Sequence, residues 1–359
     1  MKIINEIGDL SGKKVLLRVD FDVPIGKDSV ITDPFRILKQ KSFIDDLINK
    51  GARVVMMGHT STSGSFAELM PQLHILLGRE IGFISHLEQL EQVEQLEQVV
   101  LFDNIRKFSG EMKNDEGLAL SLSKGFDIYI NNAFAVCHRK HASVSAITKF
   151  LPSYGGPLLE EETSKLKQAV QASAEGKVII IGGAKAATKV PVIKNFLDKA
   201  EKILLGGVVA NDFLKAKGAD VRNSIIDDNY QELLAGLDLN NPMLLAPKDF
   251  NIFENKILDI GQETAKEYSE IIKNSKMIVW NGPMGMFEND RFASGTRVVA
   301  EAIADSTAFK VAGGGDTIAA INKFGLAGKF DFISIGGGAM LEFLAGNRLP
   351  GLDALGYYS

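Results

Sequence analysis

In the stretch FKVAGGGDTIAA, residues 309–320, an apolar run passes into three glycines, an aspartate and a threonine. FISIGGGAM, residues 332–340, repeats the gesture. Glycine loses chain entropy on folding and packs nothing, so such runs mark places where bare backbone is needed. Backbone N–H groups exposed at the start of a helix bind phosphate oxygens. A carboxylate beside them, here Asp316, is the residue type that holds Mg2+ on a phosphate. Two further pairs, Gly182-Gly183 followed by Lys185 and Lys189, and Gly206-Gly207, extend the pattern, as does Asn281-Gly282-Pro283. The first half of the chain offers charge instead: Asp20, Asp22, Arg36, His59, Asn104 with Arg106, and Asn131 leading to Arg139. The asymmetry suggests one half gripping a small anion and the other cradling phosphates. Each signal also has a simpler account. A glycine pair makes a tight turn, an aspartate caps a helix, and lysines four apart decorate one helical face. Their coincidence at strand ends favours the nucleotide reading, with one aspartate for magnesium.

The elements that must position these residues alternate regularly. KKVLLRVDFDVP reads as a buried strand, and TDPFRILKQKSFIDDLINKG as a helix capped by Thr32 or Asp33 and ended by Gly51. Strand-like runs recur at ARVVMMGH, EIGFI, QVVLFDN and DIYINNAF. After LPSYGGPLLEEE they resume at KVIIIGG, KILLGG, MLLAP, MIVWNGP, FKVAGGG and FDFISIGGG. Val/Ile/Leu-rich strands alternating with helices predict two α/β units, each a doubly wound parallel sheet, joined near Pro152–Gly156. In such sheets ligands sit beyond the carboxyl ends of the strands. The Glu/Gln-rich segment 88–99 predicts a short surface helix.

Composition excludes several classes. The chain has 359 residues, 45% apolar and 24% charged, which suits two soluble domains. No apolar run approaches membrane-spanning length, and the start lacks a signal-peptide core, so no membrane association is expected. A net charge of −5 argues against nucleic acid, and the single cysteine, Cys137, fits a reducing cytoplasm. No Walker-type loop, dinucleotide fingerprint or zinc-like cluster occurs.

Over essentially its whole length the chain resembles the phosphoglycerate kinase family. The resemblance is carried, in order, by KVLLRVDFDVP, ITDPFRI, DNIR, NNAFAVCHRKHAS, IIIGGAKAATK, DIGQET, IVWNGPMGMFE, FASGTR, VAGGGDT, ISIGGGAMLEFL and LPGLDAL. It implies a monomer of two Rossmann-like domains facing each other across a hinged cleft. Residues 1–155 would bind phosphoglycerate, joined by a returning C-terminus, 346–359, and residues 156–345 would bind the nucleotide. Carried over, Asp20, Asp22, Arg36, His59, Thr62, Arg106 and Arg139 fall at substrate positions. Lys189, Glu288, Gly314, Gly315, Asp316 and Thr317 fall at nucleotide positions, with Asp316 also at the Mg2+ that accompanies ATP or ADP. Arg36, Lys185, Gly337 and Gly338 would stabilise the phosphoryl group in flight. The reaction implied is reversible transfer between ATP/ADP and 3-phosphoglycerate/1,3-bisphosphoglycerate. Its acceptors are already ionised near neutral pH, which suits a site without a general base.

The departures lie mostly in the first half. Where the family reads His-Leu-Gly-Arg, this chain has His59-Thr60-Ser61-Thr62, so an arginine is missing. Asp22 stands where asparagine is usual, adding a negative charge beside an anionic ligand. The family's Asn-Asp-Ala-Phe-Gly-Thr-Ala becomes Asn131-Asn132-Ala133-Phe134-Ala135-Val136-Cys137, and Ile335 replaces a threonine. The Ser61 and Thr62 hydroxyls, or Lys107, are the candidates to replace the lost contact. Two other readings fit the same residues: a kinase for a different acyl phosphate, and a nucleotide-binding protein with little turnover.

Overall fold

Lys14–Arg18 (β1) shows how the apolar runs fold. Val15, Leu16 and Leu17 are fully buried, Val15 and Leu17 in one apolar cluster and Leu16 in another. Successive strand side chains point to opposite faces, so a strand lying between two helical layers must be apolar at every position. Burying each such side chain contributes about 1.5–3 kcal/mol. The computed structural model describes every residue except 5–8, 93, 94 and 96. Part of the Glu/Gln-rich segment therefore lies outside the described residues; within it, Leu87–Leu90 is helical.

The chain divides into two compact units, Met1–Thr163 with Arg348–Ser359, and Ser164–Asn347. The division falls inside the helix Pro157–Gln171 rather than at residue 155, because that amphipathic helix runs on unbroken past the glycines of the joint. In the first unit, β1 is joined by Arg53–Met57 (β2), Gly82–Ile84 (β3), Val99–Phe102 (β4), Ile128–Asn131 (β5) and Ser153–Gly155 (β6). The sheet order is β3-β4-β2-β1-β5-β6, with all pairs parallel. The C-terminal segment belongs to this unit: Gly351 N–H donates to the Cys137 carbonyl at 2.8 Å, and the N-terminal ammonium to the Gly356 carbonyl at 2.6 Å.

The second unit contains Lys177–Ile181 (β7), Lys202–Leu205 (β8), Leu244–Leu245 (β9), Phe250–Phe253 (β10), Lys256–Ile260 (β11), Met277–Asn281 (β12), Phe309–Gly313 (β13) and Phe332–Ser334 (β14). Its parallel sheet runs β14-β13-β12-β7-β8-β9. Setting aside the hairpin β10-β11, this is the doubly wound dinucleotide-domain order, which reverses between β7 and β12. The crevice at that reversal receives the turns after Ile181 and Asn281. The antiparallel hairpin β10-β11 is absent from the strand pattern read above. Its signal is the pair Glu254-Asn255, both at positive φ, between apolar runs. At the first helix, Phe35–Asn49, Pro34 takes the capping position and Asp33 accepts the Phe35 N–H at 3.0 Å.

At the reversal the glycines are required by contact. Gly207 has φ +57°, and a Cβ there would lie 2.4 Å from the Gly183 nitrogen. Gly218, at φ +83°, faces open space. Gly207→Ala should therefore lose about 1–3 kcal/mol for the left-handed backbone and a similar amount for forcing two turns apart. Gly218→Ala should lose only about 1–2 kcal/mol. Equilibrium urea denaturation of the two variants checks the ranking.

Candidate active site

The first unit builds its polar edge around a buried cation. Arg18, at the end of β1, is 1% exposed. Its Nε donates to Ser143 Oγ at 3.1 Å, and its Nη1 to the carbonyls of Val19 at 2.7 Å and Met57 at 3.3 Å. Ser143 Oγ passes the contact on by donating to Glu111 Oε1 at 2.6 Å, so a buried carboxylate balances the guanidinium. The remaining Arg18 nitrogen, Nη2, lies 3.2 Å from His59 Nδ1. Arginine only donates, so Nδ1 must accept and the His59 proton sits on Nε2. That Nε2 faces Asp22 Oδ2 at 3.3 Å. Burial, reinforced by Arg18 and Arg106, pushes His59 down to about 4 against the pull of Asp22, so it is neutral at pH 7.

Asp22 is occupied on both oxygens. Ser61 N–H donates to Oδ1 at 2.7 Å and Ser61 Oγ–H to Oδ2 at 3.1 Å. Burial opposes ionisation here, but the donors from His59 and Ser61 outweigh it and hold Asp22 well below the usual carboxylate range. The charge at this position is therefore absorbed by the protein rather than turned on a ligand, because its donors come from the next strand's loop. Arg106 Nη1 donates to Ser61 Oγ at 2.9 Å, while its Nη2, closed off from water, has no partner among the described residues. Burial and the neighbouring Arg139 both disfavour the charge on Arg106, so the edge is rich in positive potential. Arg36 completes it, pairing with buried Asp20 at 3.3 Å and donating to the Asp22 carbonyl at 3.2 Å. Burial raises Asp20 despite that pairing.

Asp20, Asp22, Arg36, His59 and Arg106 are thus directly linked, and Arg139 stands close enough to act on Arg106. Thr62 is exposed, and its hydroxyl bonds to no other described residue. Its loop is nonetheless pinned. Asn104 Nδ2 donates to the carbonyls of Thr60 at 2.9 Å and Ser63 at 3.3 Å, and Asp103 Oδ1 accepts the Phe66 N–H at 2.8 Å. Lys107 bonds Asp103, so its charge serves this loop instead of replacing the missing arginine.

Beneath the glycine turns of the second unit the buried cation is Lys189, 6% exposed and donating to the Gly182 carbonyl. Burial pushes its ammonium down to about 8, opposed chiefly by Asp316. Lys185 and Lys189 do not share an exposed helical face. Lys185 precedes the helix Ala186–Phe196 in left-handed backbone, φ 64°, while Lys189 points beneath the glycine turns. A cavity of about 500 Å³ opens there, lined by Gly183, Gly207, Met284, Glu288 and Asp316 among others. Asp316 makes no capping bond; Gly314, at φ +99°, occupies the cap of its helix. Gly315 opens that helix, and Gly337, at φ +52°, together with Gly338 opens the one after β14. Thr317 is turned inward, its Oγ1 accepting the Gly282 N–H at 2.7 Å, so its hydroxyl holds a turn. Among the described residues no three His, Cys, Asp or Glu side chains gather to hold a metal, and no helix is long and apolar enough to cross a membrane.

A family model described as phosphoglycerate kinase matches residues 4–347. The chain belongs to the phosphoglycerate kinase family. It is 37% identical over 382 residues to the phosphoglycerate kinase of Moorella thermoacetica, covering 97% of each chain. Among solved structures, that of the Pyrococcus horikoshii phosphoglycerate kinase aligns with a TM-score of 0.88 at 34% identity, covering 99% of this chain and 98% of the other. The Coxiella burnetii phosphoglycerate kinase aligns with a TM-score of 0.85 at 31% identity over the same shares.

Residue reading missed Arg18 and Glu111 as parts of this edge, and took Ser61 only as a replacement for a lost ligand contact rather than as the partner of Asp22. Only Arg18 had a local signal, a charge inside the apolar run VLLRVD. The His59 geometry makes a testable statement about pH. Its pKa is depressed in the fold, so its stabilising share is complete above 6.5 and is lost as pH falls through about 4. Asp22, also depressed, adds its share above 3.8 and loses it at still lower pH. Imidazole ¹⁵N spectra should show His59 as the Nε2–H tautomer at pH 7, charging only near pH 4. Protonation of His59 near 6.5 would contradict this network.

Proposed function

We propose that the protein is a phosphoglycerate kinase, transferring a phosphoryl group reversibly between ATP/ADP and 3-phosphoglycerate/1,3-bisphosphoglycerate. The observation that carries this reading is that the family match spans both units; the residues assigned here to the site lie towards the carboxyl ends of the two parallel sheets, which supports it. In this reading the first unit binds phosphoglycerate through Arg36, Arg106 and Arg139, held in place by Asp20, Asp22 and His59. The second binds the nucleotide in its cavity, with Lys189 and the N–H groups of Gly314 and Gly315 on phosphates. Glu288 lies where the sugar hydroxyls would reach, and Thr317 acts by fixing the Gly282 turn.

Magnesium fits this edge as a companion of the nucleotide. It ordinarily keeps one or two protein carboxylates and takes its other ligands from phosphate and water, and Asp316 is an exposed carboxylate beside the glycine run on the cavity wall. When bound, the ion neutralises phosphate charge. The protein's own groups do the rest. Lys185 and Arg36 place fixed positive charge on the transferring group, and the N–H groups of Gly337 and Gly338 donate to its oxygens. No side chain needs to move a proton, since both acceptors are already anionic. Catalysis then reduces to positioning and to charge that is already oriented.

A coupled assay with Mg·ATP and 3-phosphoglycerate, run beside other carboxylates, tests the assignment. Turnover confined to a different acid would replace it with a related acyl-phosphate kinase, and nucleotide binding without turnover would remove the activity. Within that assay, Lys185→Ala should lower kcat with little change in the nucleotide KM. Lys189→Ala should raise the nucleotide KM as well, because a buried ammonium grips phosphates in ground and transition state alike. Unchanged kcat in Lys185→Ala would remove it from the catalytic set.

Thr62 is the second test. An arginine contact to a phosphate or carboxylate contributes about 1.5–3 kcal/mol. Thr62→Arg on this pinned loop should lower the phosphoglycerate KM by about tenfold or more, less whatever ordering the longer side chain costs. Nucleotide KM should stay put, and salt should shrink the gain. A phosphoglycerate KM that does not respond would place Thr62 away from the ligand.

A further inference from the structure

The turn carrying Lys185 is held from outside by a pair of acids that no step above uses. Ala186, the residue after Lys185, donates its N–H to Asp227 Oδ2 at 2.8 Å. Asp227 donates its own N–H to Asp212 Oδ1, also at 2.8 Å. Asp212 is 1% exposed, on the helix Gly207–Ala216. Among the described residues no donor reaches its Oδ2, which is sealed from water. The 2.8 Å backbone contact brings the Asp227 carboxyl up to that of Asp212, and the two act on each other by charge and by side-chain hydrogen bonding.

Two carboxyl groups so placed cannot both be ionised without a large penalty, whereas one proton between them turns repulsion into a hydrogen bond. We infer that Asp212 and Asp227 share a proton, and that this protonated pair seats the 222–229 segment against the start of the helix Ala186–Phe196, positioning Lys185. The inference rests on the catalytic role proposed for Lys185. The helix of Asp212 packs against Ala186–Phe196, Tyr230–Leu234 and β11, whose charged residues are Lys189, Lys194, Glu232, Lys256 and Asp259; among the described residues, only Asp227, on the 222–229 segment, acts on Asp212. On its other side Asp227 attracts Lys189, which favours leaving the proton on Asp212 and the negative charge on Asp227. The charged Asp227 is then the better acceptor for the Ala186 N–H.

Lys185 is the one non-glycine residue at positive φ in the β7 turn, an arrangement that persists only where the surroundings impose it. The Asp227 contact to the adjacent peptide is such an imposition. Burial, with the repulsion of Asp227, pushes Asp212 up from 3.8 to about 7. The folded state thus holds this proton more tightly than the unfolded chain. The pair's stabilising share is complete below 3.8 and drains away as pH rises through about 7. Above that the Asp212 oxygen becomes a buried anion without a donor, and the seat of Lys185 loosens.

The test uses the full-length protein and two readouts. At saturating Mg·ATP and phosphoglycerate, wild-type kcat should fall about threefold to tenfold as pH rises through about 7, the range of one lost hydrogen bond. Asp212→Asn keeps an oxygen for the Asp227 N–H and supplies a permanent donor in place of the proton, so its kcat should no longer fall there. Lys189 titrates near 8, but bound phosphates keep it charged, so its limb belongs to kcat/KM for the nucleotide and not to kcat. Asp227→Ala should lower kcat with little change in either KM. The second readout is the ¹³C titration of the Asp212 carboxyl in wild-type protein, assigned through its own backbone, which should show a midpoint near 7. An alkaline fall in kcat that survives in Asp212→Asn overturns the positioning role. A carboxyl midpoint near the ordinary 3.8 overturns the shared proton, even if the variants fail to fold. Loss of the kinase assignment itself would appear separately, as wild-type protein that does not turn over phosphoglycerate.

Discussion

A cation taken out of water must be met by fixed dipoles or it gives up its proton, and the Lys189 ammonium shows what that demands of the second unit. Its partner is the Gly182 carbonyl, which bends toward it only because the turn after β7 is glycine. A Cβ on Gly183 or on Gly282 would come within 2.9 Å of the Lys189 nitrogen, so both walls of the passage must be bare. Gly282 is in turn held by Thr317 from the turn after β13, and the crevice where strand order reverses is knitted together around one charge. The glycine runs therefore do two jobs. They leave N–H groups uncovered, and they leave room for a buried cation beneath them.

The first unit meets the same constraint with a residue that cannot give up its proton. Arg18 is closed off at the end of β1, and its donors reach two carbonyls, a serine and a histidine. Because the guanidinium only donates, it dictates the tautomer of His59, and through His59 the orientation of Asp22. Ser61 then links Asp22 to Arg106. A rigid neutral histidine and a satisfied aspartate leave Arg36, Arg106 and Arg139 as the charges available at this edge. The chain's departures from its family look different in this light. Asp22 and Ser61 bond each other, so two substitutions that each seem disruptive form one internal contact.

Both units thus arrange their ligand edges by settling protonation in advance. His59 is held neutral, Lys189 is held charged but close to its limit, and the Asp212–Asp227 pair retains a proton. Groups fixed in this way need no reorganisation when a highly charged ligand arrives, which suits a reaction whose demands are orientation and electrostatics.

Strand runs such as VLLR and VIII, the alternation of strands with helices and the glycine turns are local signals, governed by sterics and side-chain periodicity within a few neighbouring residues. They were enough to establish two parallel-sheet units and to point at their carboxyl edges, and the ordered motifs were enough to identify the family. The hairpin β10-β11 escaped because its short strands lie outside the alternating pattern. What only the tertiary structure decided is which charges are free and which are consumed. Asp22 meets Ser61, Arg18 meets Ser143, and Ala186 meets Asp227 across long stretches of chain. A charge becomes a ligand group or a strut according to its desolvation and its distant donors, and neither is encoded near it in the sequence.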